Sequence, residues 1–342
     1  MSLPRLNRYS PKLEILIIAH VRVNGPHSCR SICSTLARLT GGRCYTVRYR
    51  LAPQHPFPAA LLDILHAYLT LISPPPGSFH ERISPSSIVF AGDSAGACLA
   101  VSAVQTLLSF ARSRPLVLTP TILFHGRHTQ LPLPSGLALV SPGFDQAMGV
   151  PTWWSNAATD IFSDQLPAIT DSQLPCALWP SNPPRGHPYT EPLTLLHPLV
   201  SPCTAESWEK FPPMWIAMGG GERLLDAAKL VARDAVRDGC IVRWTEWEKM
   251  PHLWMLTCKD WWQATKTVVL WAEACTELVG KGDGLKTEAC LIGVDGSKTE
   301  IDIRKITSLK RDEIMSGMRK RVEAMKVWTG KKADKGIAKS QL

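Results

Sequence analysis

A chain of 342 residues with 45% hydrophobic and 20% charged residues has the apolar content of a packed globular core rather than of a disordered chain. The formal net charge of +9 sits mainly at the C-terminal end, where residues 281–342 hold 15 Lys and Arg against 9 Asp and Glu. The remainder is near neutral and offers no basic surface for nucleic acid. The ten cysteines include no C-x-x-C pair, and Cys29 and Cys33 share a helix spacing without further ligands, so neither a disulfide framework nor a zinc site is expected.

Along the chain, residues 14–20 form a short apolar run that predicts a buried strand. Arg5, Arg8 and Pro11 precede it, which does not make a signal peptide, and no stretch approaches the roughly 20 apolar residues of a membrane span. Helical spacing over 31–39 stops at Gly41-Gly42, and 43–50 is rich in strand formers. Residues 59–72 predict a helix ended by Pro74-Pro75-Pro76-Gly77, 87–91 a buried strand, 95–111 a helix of small and apolar residues, and 136–140 another strand. After an interruption the alternation resumes with strands at 214–218 and 241–247 around a helix at 223–238, and a closing helix at 261–278. Such alternation implies an α/β fold with a mostly parallel sheet covered by helices on both faces.

The interruption is rich in Pro and Trp and weak in periodicity, as expected of an inserted cap of short helices. The organisation read from the sequence is a core at 12–145, a cap at 146–213, a second part of the core at 214–279 and a basic C-terminal extension at 280–342. In that extension 280–296 is Gly-rich and polar, while 308–328 is amphipathic, with Met315, Met318, Val322 and Met325 on one face suited to docking.

The chemistry centres on Gly92-Asp93-Ser94-Ala95-Gly96. The G-x-S-x-G pattern carries meaning only where a strand precedes it and a helix follows, because the sharp turn between them exposes the serine hydroxyl. Both neighbours are predicted here, so Ser94 is the candidate nucleophile, and the N–H of Ala95 at the helix start is a candidate oxyanion donor. A serine nucleophile needs a base oriented by an acid, in the chain order Ser, acid, His for this kind of sheet. His252, in a loop after a strand, is placed for the base, and His20 is its main competitor, although it precedes the serine. Two acids follow the strand at 214–218. Glu222 lies in the loop and is preferred; Asp226 is the alternative, placed where a turn enters a helix. Nothing in the sequence calls for a cofactor or a metal, and oligomeric state is not readable.

These segments resemble the hormone-sensitive-lipase-like esterases of the α/β-hydrolase superfamily. The run from Tyr49 to Ala60, YRLAPQHPFPAA, is similar to a signature of that family, and GDSAG at 92–96 matches its elbow. Ser141-Pro142-Gly143-Phe144-Asp145 looks like its S-P-x-x-D turn. Glu222 to Asp226 aligns with its acid segment, with Glu in the acid's place, and Met250-Pro251-His252 matches its histidine segment. The resemblance covers about 12–278. It implies hydrolysis of a small-molecule carboxylic ester through an acyl-enzyme, with a cap over the acyl pocket and a tailoring role in secondary metabolism.

Two departures qualify the expectation. The family's His-Gly-Gly-Gly oxyanion loop is replaced by His20-Val21-Arg22-Val23-Asn24-Gly25, leaving Gly25 as the candidate second donor, and only 19 residues precede His20. The loss implies reduced activity, or a receptor-like protein that binds a ligand without turning it over. The terminal Ser340-Gln341-Leu342 is a loose variant of a peroxisomal address, so the cytoplasmic location expected of the chain has a peroxisomal acyl-thioester hydrolase as its alternative.

Overall fold

In the computed structural model, which describes residues 13–18, 26–112, 119–161 and 181–327, the short apolar runs become strands and the 3.6-periodic runs pack over them. In chain order the elements are β1 (Glu14–Ile18), α1 (Pro26–Thr40), β2 (Arg43–Thr46), α2 (Ala59–Ile72), β3 (Ile88–Asp93), α3 (Ser94–Arg112), β4 (Thr121–Phe124), β5 (Arg127–Gln130), β6 (Gly136–Val140), α4 (Thr152–Ser155), β7 (Met214–Gly219), α5 (Leu225–Arg237), β8 (Val242–Trp247), α6 (Trp254–Thr257), α7 (Trp262–Gly280), β9 (Glu288–Ile292), β10 (Lys298–Glu300) and α8 (Arg311–Glu323).

One eight-stranded sheet runs in the order β10-β9-β8-β7-β6-β3-β1-β2. Every neighbouring pair is parallel except β9 with β10, which is antiparallel. The central strands β3, β6 and β7 are buried at every residue, which is why they read as continuous apolar runs rather than alternating ones. Successive side chains still divide between the faces. Ile88 and Phe90 of β3 join the cluster that contains α2, α3 and α5, whereas Val89 and Ala91 join the cluster with α1 and α7. Helix α3 is long and apolar enough by composition to cross a membrane, a feature the sequence reading did not register, but 72% of that window is buried, as in a core helix.

Two differences from the sequence reading have physical causes. Residues 280–296 were expected to be a polar stretch, yet Glu288–Ile292 adds a strand parallel to β8 and Lys298–Glu300 pairs with it around the turn at Gly296. The signal was a short Ala-Cys-Leu-Ile run flanked by charge, too brief to stand out, and β10 is a charged edge strand. Part of the expected C-terminal extension is thus built into the sheet. Residues 121–130, for which no element was expected, form a hairpin, β4 and β5, around a two-residue His125-Gly126 turn with both φ angles positive. The amphipathic segment does dock: α8 buries Ile314, Met318 and Val322 against the cap, where Cys203 Sγ lies 3.8 Å from Met318 Sδ and Arg321 stacks over Trp154. Only part of the cap at 146–213 falls within the described residues, and it holds α4 and short 3-10 turns at Pro192–Leu196 and Pro202–Thr204. The Cys29 side chain and the C-terminal Ser340-Gln341-Leu342 lie outside what the structure describes. Cys98, Cys203, Cys240, Cys258, Cys275 and Cys290 are free thiols.

Candidate active site

In a parallel sheet the loops beyond the carboxyl ends of adjacent strands converge, and four of them meet here: those after β3, β6, β7 and β8. Ser94 directly follows β3 and begins α3 with φ of 51°, a left-handed conformation rare for a residue with a side chain, which turns the hydroxyl out of the strand–helix corner. The corner is tight enough to demand glycine at position 92, where an added Cβ would lie 2.8 Å from Ala97 N. Ala95 is the second residue of α3, so its N–H has no intrahelical acceptor. Gly143 N–H donates to the Ser94 carbonyl (3.1 Å) and ties the loop after β6 to the elbow.

Ser94 Oγ lies 2.9 Å from His252 Nε2, and His252 Nδ1 lies 2.8 Å from Glu222 Oε2. The two contacts assign the tautomer: Nδ1–H donates to the carboxylate, and Nε2 is left to accept the serine proton. The other carboxylate oxygen, Oε1, accepts Gly219 N–H (2.6 Å) and the Ser141 hydroxyl (2.8 Å). Gly219 has no room for a Cβ, because the Met250 carbonyl of the histidine loop occupies that space. The acid and base loops therefore pack backbone to backbone.

Ser94 is 9%, His252 1% and Glu222 0% exposed, so the relay operates out of bulk water. Burial lowers the His252 imidazole to about 4, with the Asp160 charge pulling the other way. Burial also pushes the Glu222 carboxyl well above its ordinary range, against the pull of the Gly219 and Ser141 donors. The consequence for chemistry is a neutral imidazole at neutral pH, ready to take a proton from Ser94.

The two candidate acids separate cleanly. Asp226, in the first turn of α5, accepts Thr152 N–H at the start of α4 (2.8 Å), while Glu222 meets the imidazole. His20, Gly25 and the whole 19–25 loop lie outside the described residues. Two residues at the relay carried no sequence signal for it. Ser141 was read as part of a turn, yet it donates to Glu222. Asp160, in the cap, accepts His252 N–H (3.0 Å). Each reaches the site only through tertiary packing.

Beside the first turn of α3 lies a cavity of about 110 Å³, lined by Tyr49, Leu51, Ala95, Cys98, Met148 and Tyr189 among others. Its walls come from the loop after β2, from α3 and from the cap. No cluster of three or more metal-ligating side chains occurs among the described residues.

The chain belongs to the alpha/beta hydrolase fold family, whose model matches residues 21–256. Within it, the sequence is 29% identical over 232 residues to an acetyl-hydrolase from Streptomyces hygroscopicus, a match covering 68% of this chain and 64% of that protein. The chain spans less than two thirds of the length of the curated relatives it matches. Among solved structures it is similar to an esterase from the bacterial hormone-sensitive lipase family, at 25% identity and a TM-score of 0.58, covering 78% of this chain and 77% of the other. It shares its fold with EstE5, a protein soaked with p-nitrophenyl butyrate, at 23% identity and a TM-score of 0.62, covering 80% of each chain.

Proposed function

We propose that the protein is a serine hydrolase that cleaves small carboxylic esters with short acyl groups through an acyl-enzyme on Ser94. The observation that carries this is the continuous relay from Ser94 Oγ through His252 to Glu222. In the reaction Ser94 Oγ attacks the ester carbonyl carbon as its proton passes to His252 Nε2. The imidazolium is held through Nδ1–H on Glu222, and the oxyanion takes the N–H of Ala95. His252 then protonates the departing alkoxide, leaving an acyl-Ser94. Water, deprotonated by the same imidazole, attacks that ester, and its collapse returns the proton to Ser94 Oγ, giving acid and alcohol.

The cavity beside Ala95 supports a short acyl group. An engineered cavity of about 150 Å³ holds benzene, so about 110 Å³ accommodates roughly four carbon atoms. The name of the acetyl-hydrolase relative fits the same size class. Residues 20–25 lack the glycine run of the resembling esterases, so we expect slower turnover, with one lost donor worth about 100- to 1,000-fold. A tailoring role on small metabolites is the setting we propose, on the resemblance alone.

The test is covalent and kinetic. A fluorophosphonate should label the wild-type protein at Ser94 and leave Ser94→Ala unlabelled, and p-nitrophenyl esters should be cleaved fastest at acetate to butyrate. Absence of both labelling and hydrolysis in the folded wild-type protein defeats the reading.

A further inference from the structure

The cap is held on the catalytic loops by hydrogen bonds from one nine-residue stretch, 152–160. Thr152 Oγ1 donates to Arg223 O (3.1 Å), Asn156 Nδ2 to Glu222 O (2.9 Å) and to Gly220 O (3.3 Å), and Thr159 Oγ1 to Gly221 O (2.9 Å). All of these end on the backbone of the acid loop alone. Asp160 is different. Its Oδ2 accepts Arg223 N–H (2.6 Å), from the residue after Glu222, while its Oδ1 accepts the N–H of His252 itself (3.0 Å). One carboxylate thus spans the acid loop and the base loop from outside both.

We propose that Asp160 is a positioning residue for the relay: it sets the separation of the Glu222 and His252 loops and lends its negative charge to the imidazolium that forms during turnover. The proposal rests on the reading of Ser94, His252 and Glu222 as the catalytic relay. The geometry argues for two functions in one group. Held from both sides, the backbone at His252 cannot drift from Glu222, and a displacement of about 1 Å can cost about 100-fold in rate. The two Asp160 carboxylate oxygens serve three N–H groups, because Oδ1 also accepts Ile161 N–H (2.7 Å) and so fixes the carboxylate against its own backbone. Arg223, whose N–H is held, points elsewhere: its Nε donates to Trp153 O (2.5 Å) and its guanidinium lies over the Trp153 ring.

Among the described residues, the charged and titratable groups that the contacts place around His252 come from four elements. Glu222 faces it from the acid loop and Asp160 from the cap. The elbow brings Ser94, with Asp93 one residue upstream, and the loop after β6 brings the neutral Ser141, whose Oγ also accepts Leu253 N–H (3.3 Å). Asp160 raises the proton affinity of both His252 and Glu222. Removing its charge therefore lowers the apparent midpoint of the pair, however the proton divides between them.

The test compares Asp160→Asn with Thr159→Ala in the full chain. Asn offers one acceptor oxygen for the three N–H groups and turns an NH2 toward at least one of them, so it loses both a bond and the charge. Thr159→Ala removes a bond of the same latch without touching charge. In Asp160→Asn, kcat should fall roughly 10- to 100-fold with KM within a few-fold. The His252 midpoint, followed by NMR of the imidazole, should drop by roughly half to one pH unit. Thr159→Ala should lower thermal stability and leave that midpoint in place. An unmoved midpoint in folded Asp160→Asn, or the same shift in Thr159→Ala, overturns the proposal. The NMR midpoint is read whether or not the wild-type protein hydrolyses esters, so an inactive wild type counts against the esterase reading alone.

Discussion

Glu222, in the loop after β7, and Asp145, in the loop after β6, are both buried carboxylates one strand apart, at 0% and 2% exposure, and burial raises the proton affinity of each. Their partners differ. Asp145 is surrounded by backbone: its two oxygens accept the N–H groups of Ala147, Met148, Gly149 and Val150 at 2.6–3.1 Å, folding the entry to the cap around itself. Glu222 spends one oxygen in the same way, on Gly219 and Ser141, and offers the other to an imidazole that in turn reaches a serine. Burial and hydrogen bonding are common to both. What separates a structural carboxylate from a candidate catalytic one is a titratable partner that leads on to a nucleophile.

The largest effect that tests this contrast is expected from Glu222→Gln. The amide keeps the size but loses the charge and can present an N–H to Nδ1, favouring the wrong imidazole tautomer. In Ser-His-Asp enzymes the equivalent change lowers kcat about 10,000-fold, and a loss of that order is expected here with little change in thermal stability. Steady-state kinetics beside a melting curve checks both halves. Asp145→Asn should show the inverse. One oxygen must serve four N–H groups, and leaving one or two buried donors unsatisfied costs roughly 2–5 kcal/mol of stability. The folded fraction should keep kcat within a few-fold. A stable but inactive Asp145→Asn would erase the distinction.

How much of this was legible in the sequence follows from how local each signal is. The elbow at Ser94 is a five-residue motif whose strand and helix lie on either side, so it could be read directly. Of the two acids, position along the chain favoured Glu222 but could not exclude Asp226. The choice becomes visible only through the parallel register of β7 and β8, which sets Gly219 opposite Trp247 and brings the two loops side by side. Ser141 and Asp160 are 81 and 92 residues from the partners they hold, Glu222 and His252, and nothing near them in sequence marks those bonds. The strands β9 and β10 were missed for another reason: a short edge hairpin with charged residues has little apolar pattern to show.

The contrast also has a pH signature. The active form of His252 is neutral, and burial lowers its midpoint from the ordinary 6.5 to about 4. As pH falls, the base is lost only below that midpoint. The profile of kcat/KM should therefore stay level from neutrality to about pH 5 and decline toward tenfold per unit below about 4. A limb centred near 6.5 would show that the relay is wetter than its burial implies. Asp145 contacts no imidazole, so Asp145→Asn should leave the limb where it is.

The smallest effect is expected at Asp226, and it sets the lower bound of the comparison. Asp226 is four residues from Glu222, on the same loop-to-helix segment, and its carboxylate is committed to Thr152 N–H at the start of α4. Asn at this position retains an acceptor oxygen, so Asp226→Asn should lower stability by only about 1 kcal/mol. Because the bond joins α5 to the cap, the change should appear as a modest rise in KM, with kcat and the acid limb near wild type. A loss in kcat approaching that of Glu222→Gln would mean that the histidine draws on both acids. The single bond from Nδ1 to Glu222 would then be an incomplete account of how the base is oriented.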